Sequence, residues 1–499
     1  MEVKILHRNP EEYKNNPGAS TYKHSRSVDP NIHLFQREIE YKRALNATKI
    51  DKIFAKPLVK CLDGHDDSVR SLCVSNRSLT DLYSGSCNGF INIWNVLNKT
   101  LIKKVKAHEG FVRGLCVSHD EKFLFSCGDD KYIKQWVIER GSGVGGHEDA
   151  SSLAADGGIG SNSFDANRFP ANRFPASQPS RGEGALVASQ NMQRLNLLSD
   201  EVTPKKIYVC KSVPNSIDKH FSEPLIISGS QHLDVWDYYR NNAIASFDYN
   251  SEYIYYVKFN YAQRNLVGLT LSDNSIGLAD IRAKTPIKKI FLKYRCNALS
   301  WNNMNPKQLV VANEDSNLYT FDMRHLKTAT LVHKGFVNAV LDVDYSPIGN
   351  KFVACSYDKT VRLFHSDESR SYDVYHTKRM QHVLCCKFSL DTKYVYTGSS
   401  DMCIRIWKSC AHEPSGVLSN KEKQAINYRN KLKEKYSSMK EIRRIRDHHH
   451  VPALIKSMSD KKKVMLEARK RREGNRVKHS RDPHQLPLPE KKKIFVTEQ

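Results

Sequence analysis

The chain has 499 residues, with 78 Lys and Arg against 54 Asp and Glu, a formal net charge of +24 at pH 7. That length accommodates a large core plus further segments, and the positive balance points to an anionic partner. The twelve cysteines are scattered without a C-x-x-C pair, which argues against a zinc site or disulfide scaffold, and no apolar run reaches the roughly 18 residues of a membrane span.

Residues 1–57 read as an N-terminal arm. The charged start lacks the apolar stretch of a secretory signal. Breaks at Asn9–Pro10, Asn15–Gly18 and Asp29–Pro30 predict little secondary structure up to about residue 40. Tyr41 to Pro57 is too apolar for a free tail, and Pro57 should stop any helix there. Leu58 to Leu62 precedes His65 as Leu101 to Val105 precedes His108, so it reads as an outer strand with no inner strands ahead of it.

The clearest repeating unit runs from His108 to Trp136. Two apolar, alternating runs and a third after the turn Gly128–Lys131 predict three strands. His108, Ser126, Asp130 and Trp136 stand at fixed intervals in it. This resembles the WD40 repeat, in which His, Ser or Thr, Asp and Trp form a buried hydrogen-bond chain. Trp94 lies 42 residues before Trp136, and forward stand Trp236, Ala279, Phe321, Phe364 and Trp407, themselves 42 or 43 residues apart. Seven such positions at the WD40 period predict a seven-bladed β-propeller over 58–407, with Leu58 to Leu62 completing the last blade and closing the ring. Six residues before each reference stand Asn88, Asp130, Ser230, Asp273, Asp315, Asp358 and Asp401. A catalytic Ser–His–Asp reading fails, because the pattern repeats and decays. The blade ending at Trp236 offers Ile226 where Ser is due, and the next offers Leu269 and Ala279. Blades without the set should lean on apolar packing.

Only the step from Trp136 to Trp236 is long. Its surplus falls at 139–201, rich in Gly, Ser, Ala and Asn, with Ala166–Pro170 copied at Ala171–Pro175. This is expected to be a disordered insert between blades two and three. Two later blades end in Asp280-Ile281-Arg282 and Asp322-Met323-Arg324. These are similar to the W-D-x-R ending with which substrate receptors of cullin-RING ubiquitin ligases dock their adaptor, though Ala279 and Phe321 replace the Trp. The alternative is an Arg that caps its own turn.

From residue 408 to 499, 25 Lys and Arg face 11 Asp and Glu. Ala425, Tyr428, Leu432, Tyr436, Met439, Ile442 and Ile445 recur every three or four residues, which predicts a helix. A second is expected from Ala453 to Arg472, with Leu454, Met458, Met465 and Ala468 inward. His448, His449 and His450 lack the companions of a metal site, so no metal and no cofactor are expected. They read as complements to a helix end and donors for phosphate. Lys461, Lys462 and Lys463, then Arg469, Lys470, Arg471 and Arg472, then Lys491, Lys492 and Lys493 form basic clusters that read as nuclear-import or RNA contacts. Aromatics are few, which favours backbone contacts to structured RNA over base stacking.

Longer motifs carry a wider resemblance. Arg43–Lys49, Phe54–Pro57, Ala107–Gly114, Leu341–Pro347, Val374–Val383 and Lys431–Lys435 closely resemble the WD-repeat and SOF-domain family over nearly the whole chain, the insert and roughly the first 30 residues excepted. The resemblance implies a propeller followed by a basic helical SOF-type extension, 408–499. It implies a non-enzymatic nucleolar protein of the small-subunit processome, working on pre-ribosomal RNA with the box C/D small nucleolar ribonucleoprotein and other processome proteins. It also implies, for animal members, a role as cullin-4-type substrate receptors, and no membrane partner.

Overall fold

The computed structural model describes residues 35–138, 203–283, 286–414, 416–481 and 489–498. The expected arm up to residue 34 and the expected insert at 139–201 lie outside the described residues. The chain divides into two compact units, Met1–Ala55 with Pro414–His448 and Lys56–Glu413 with His449–Gln499.

The larger unit is built from seven antiparallel sheets. Its strands run three to seven residues, and β-branched and aromatic side chains are prominent on the buried positions. Blade 1 begins at Val69–Val74 and blade 7 at Val383–Phe388. The outer strand of blade 7 is Leu58–Asp63, paired antiparallel with Cys403–Lys408, so the ring is closed by the strand expected to close it. Blade 4 carries a fifth strand that was not foreseen, Phe495–Glu498, on the edge of Pro286–Leu292.

One turn recurs. Gly89, Lys131, Asn274, Ser316, Lys359 and Met402 all have positive φ, and each directly follows the Asp-equivalent of its blade. A non-glycine residue held there costs on the order of 1 kcal/mol or more. The preceding side chain offsets it by accepting the backbone N–H two residues on: Asp130 from Tyr132 (3.3 Å), Asp315 from Asn317 (2.9 Å), Asp358 from Thr360 (3.0 Å). Asp is therefore retained for the turn in blades where its His and Ser partners are gone.

Among the described residues, the smaller unit holds three helices. Helix α1, Gln36–Ile53, begins inside the stretch expected to lack structure. Two others, α2 (Asn420–Lys435) and α3 (Lys440–Asp447), divide the single predicted helix at Tyr436–Met439. Ser419 and Glu422 form a reciprocal capping box at the start of α2. The small Ala44 of α1 lets Leu432, Tyr436 and Ile442 pack closely, and the pairs Lys433–Asp51 (2.5 Å) and Lys435–Glu40 (2.7 Å) flank them. Residues 408–499, expected as one domain, thus part company at His448. Leu432, Tyr436 and Ile442 of the expected apolar stripe pack on α1 while Ala425, Tyr428 and Met439 stay exposed, and helix α4 (Ala453–Lys478) belongs with the propeller.

Candidate functional site

In blade 2, Trp136 Nε1 donates to Ser126 Oγ (2.9 Å), which meets His108 Nε2 at 2.7 Å. His108 Nδ1 lies 2.8 Å from Asp130. Burial lowers the His108 pKa against the opposing pull of Asp130. Both Ser126 and His108 are buried, so no substrate carbonyl can reach the hydroxyl, and the set works as a pin between strands. In blade 1, Trp94 Nε1 and His65 Nε2 meet Ser84 Oγ at 2.7 and 2.6 Å. Asn88 replaces Asp there, and buried His65 Nδ1 has no hydrogen-bond partner among the described residues. Burial pushes the His65 pKa down to about 4. In blade 3 the hydroxyl is not missing, as counting back from Trp236 implied. The hairpin is two residues shorter, so Ser228 rather than Ile226 accepts from Trp236 Nε1 (2.9 Å). Thr397 does the same for Trp407 (2.8 Å). Blade 6 substitutes aromatic packing, with Phe352 and Phe364 stacked at 5.1 Å.

Sequence reasoning missed the lining of the central channel, a cavity of about 490 Å³. Lys258 Nζ lies 3.0 Å from Asp218, and Lys387 Nζ 3.1 Å from Asp344. Each Asp also accepts the backbone N–H that follows its Lys, Phe259 at 2.8 Å and Phe388 at 2.9 Å. Burial opposes the charge on both lysines, but the carboxylates win and hold the Lys258 and Lys387 pKa values up. These pairs lock neighbouring blades. Their signal was present in the sequence: opposite charges in inner strands, 40 and 43 residues apart, close to one blade period.

Helix α4 is rich in strong helix formers and ends with Arg476 and Lys478, which suit the negative end of the helix dipole. It is held at three points. His449 Nε2 meets the Ser371 carbonyl at 3.2 Å, and His450 stacks on His376 with ring centroids 5.3 Å apart. Ile455 is buried. Lys462 Nζ donates to Ser316 Oγ and, at 3.1 Å, to the Phe336 carbonyl, and its burial pushes its pKa down. Lys462 is therefore turned to the propeller. Most of the face expected to point inward points out: Leu454 is 69 % and Met465 58 % exposed and Met458 is exposed as well, while Ala468 is half-buried. The cause is Ile455 and Lys462, one residue along from Leu454 and Lys461, which take the inner side instead. Lys461, Lys463, Arg469, Lys470, Arg471 and Arg472 are all exposed, and among the described residues none is in an ion pair. Lys491, Lys492 and Lys493 lie in a helical turn, Glu490–Lys493. There the Lys491 carbonyl accepts from Ala329 N–H (3.1 Å) and Lys493 pairs with Glu473 (2.8 Å). The three clusters are thus not one surface of equivalent charges.

The two Asp-x-Arg endings share one geometry. Arg282 reaches the Asp280 oxygens at 3.2 and 3.0 Å, and Arg324 those of Asp322 at 3.3 and 3.0 Å. In both, the Arg backbone N–H donates to the same Asp at 3.0 Å. The side-chain bond from each Arg holds its Asp pKa down. Both Arg side chains are more than half exposed, and they follow the equivalent strand of adjacent blades.

With this geometry in hand, the similarities of the chain are informative. The family model "Sof1-like domain" matches residues 409–495, and "WD domain, G-beta repeat" matches 56–95, 99–137, 327–365 and 374–408. The chain is 41 % identical over 496 residues to "DDB1- and CUL4-associated factor 13" of Homo sapiens, covering 99 % of each. It is 38 % identical, with the same coverage, to the protein of that name from Xenopus laevis. It is 35 % identical over 509 residues to "Protein SOF1" of Saccharomyces cerevisiae, covering 99 % of this chain and 94 % of that one. The WD40 propeller domain of Doa1 superposes with a TM-score of 0.52 at 16 % identity, covering 70 % of this chain and 96 % of that one, a likeness of fold alone. Long and specific identity across both the propeller and the helical extension places the chain plainly: it belongs to the Sof1-like WD40 family.

Proposed function

We propose that this protein is a non-catalytic scaffold of the small-subunit processome that holds protein partners and pre-ribosomal RNA during small-subunit biogenesis, in the nucleolus. The observation that carries the reading is the group of six exposed basic side chains on α4, none in an ion pair among the described residues, on a helix that the propeller holds in place. A fixed, extended cationic surface neutralises phosphates at many points and needs no particular base. The likeness to SOF1 supports the same role, and the box C/D ribonucleoprotein partner rests on the family resemblance. Titrating structured precursor RNA at several salt concentrations tests it: alanine at the six positions should weaken binding and flatten its salt dependence. Unchanged binding at every ionic strength would remove the helix from the interface.

A second reading, substrate receptor of a cullin-4-type ligase, is favoured by the matched pair Asp280–Arg282 and Asp322–Arg324 and by the names of the animal relatives. Each Asp fixes its Arg so that part of the guanidinium remains open to a partner carboxylate or carbonyl. Charge reversal of both Arg282 and Arg324 should abolish co-purification of the adaptor. Full recovery of adaptor with that variant would eliminate these residues as its contact.

A further inference from the structure

The fifth strand of blade 4 sits in a receptor it does not build. Phe495–Glu498 pairs antiparallel with Pro286–Leu292, setting Leu292 against Phe495, Phe291 against Thr497 and Ile290 against Glu498. Lys293 N–H donates to the Ile494 carbonyl at 2.9 Å. Ile494 is 3 % exposed, in a cluster whose other buried members all lie between Leu266 and Val332, on blades 4 and 5. Phe495 packs at the border of the same cluster. Glu498 lies between Lys288 (3.2 Å) and Lys327 (3.4 Å), one from each blade, and those lysines hold its pKa down, the Lys288 hydrogen bond most strongly. Val496 and Thr497 are exposed. The groove thus reads three positions and ignores two.

This is recognition of an extended segment by strand addition: backbone pairing gives the hold, and alternate side chains give the selectivity. One buried aliphatic side chain and a three-residue ladder are a small contact, so the occupant can be exchanged. We propose that the groove between the outer edge of blade 4 and blade 5 is a docking site for an extended peptide of the type aliphatic–aromatic–x–x–Glu. In this chain residues 494–498 fill it, and a partner protein carrying such a segment takes it by displacing them. The proposal is independent of the RNA reading.

The test uses a fluorescent peptide with the sequence of residues 493–499, titrated against the full chain and the full-length variant Ile494→Asp. The variant should bind the peptide saturably, and the unaltered chain at least about tenfold more weakly, because its own strand competes. A peptide with Asp in place of its Ile should not bind either. No binding to an Ile494→Asp chain that keeps its circular dichroism spectrum, or equal binding to both chains, would overturn the proposal. If that variant does not fold, the unaltered chain is incubated with excess peptide carrying a photoreactive group in place of its Phe. Crosslinks at Ile290–Leu292 and Leu326–Val332 support the site, whereas crosslinks elsewhere or none overturn it.

Discussion

Helix α4 and the segment Glu490–Glu498 carry similar lysine-rich sequences and put them to different uses. Between Lys461 and Arg472 seven basic residues accompany one acid, Glu467, and only Lys462 is committed to the propeller. In the later segment three lysines stand beside Glu490 and Glu498, and both glutamates pair with propeller lysines. Its backbone is tied to blades 4 and 5. The lesson is that a run of lysines is not by itself an anion site, because what its neighbours tie the segment to decides its use. The first region is a free cationic surface, and the second is a clasp.

The sharpest way to break that contrast is to neutralise each region in turn. Alanine at Lys461, Lys463, Arg469, Lys470, Arg471 and Arg472 should cost at least about 100-fold in RNA affinity near physiological salt and reduce the salt slope by roughly 0.7–0.9 for each phosphate no longer neutralised. Alanine at Lys491, Lys492 and Lys493 should change affinity by no more than about threefold in the same titration. Next in size is Ile494→Ala. It removes the buried anchor of the clasp and should destabilise by roughly 2–4 kcal/mol, read as a lower Tm and faster amide exchange at Ile290–Leu292, with RNA affinity unchanged. A smaller effect concerns the start of α4. Burial first, then the charge of His450, lowers the His376 pKa below 6.5. With the docked pKa depressed, the contact is at full strength above pH 6.5, and the undocked form takes up protons first as pH falls below it. Exchange at Leu454–Met458, corrected for the intrinsic rate, should therefore quicken on acidification from pH 6.5, and not in His376→Gln. Smallest is Glu473→Gln, which loosens an exposed ion pair and should leave Tm within error while leaving the RNA titration intact.

The propeller was legible because each blade repeats a hairpin whose needs are local. Asp130, Asp315 and Asp358 accept the N–H two residues on in a positive-φ turn, while Asp273 and Asp401 take side-chain donors at the same turn, so all five keep the period even where Ala279, Phe321 and Phe364 replace Trp. The closing strand was legible for the same reason, since Leu58–Leu62 has the pattern of an outer strand and no blade of its own. Fixed-offset counting failed at Ser228, because a hairpin shortened by two residues moves the hydroxyl without moving the strand pairing. The start of α1, before Tyr41, was hidden because it offers no buried apolar residue, and the first fully buried one is the small Ala44. The outward turn of Leu454, Met458 and Met465 was unreadable as well. The helix is oriented by Lys462, whose long stem buries while its ammonium meets Ser316 and a carbonyl, and hydrophobic periodicity ranks such a residue as surface. The two arginine clamps could be located in the sequence, but their shared geometry needed the two Asp side chains in place.

The central claim is that the exposed basic row of α4, rather than the charge of the chain as a whole, is what meets ribosomal precursor RNA. UV crosslinking in cells, followed by sequencing of the attached RNA, tests it most directly, run on the full chain and on the chain with alanine at Lys461, Lys463, Arg469, Lys470, Arg471 and Arg472. Precursor rRNA reads from the full chain that disappear from the variant, at equal protein level and equal nucleolar location, are the expected result. Undiminished reads from the variant, or no specific reads from the full chain, would contradict it.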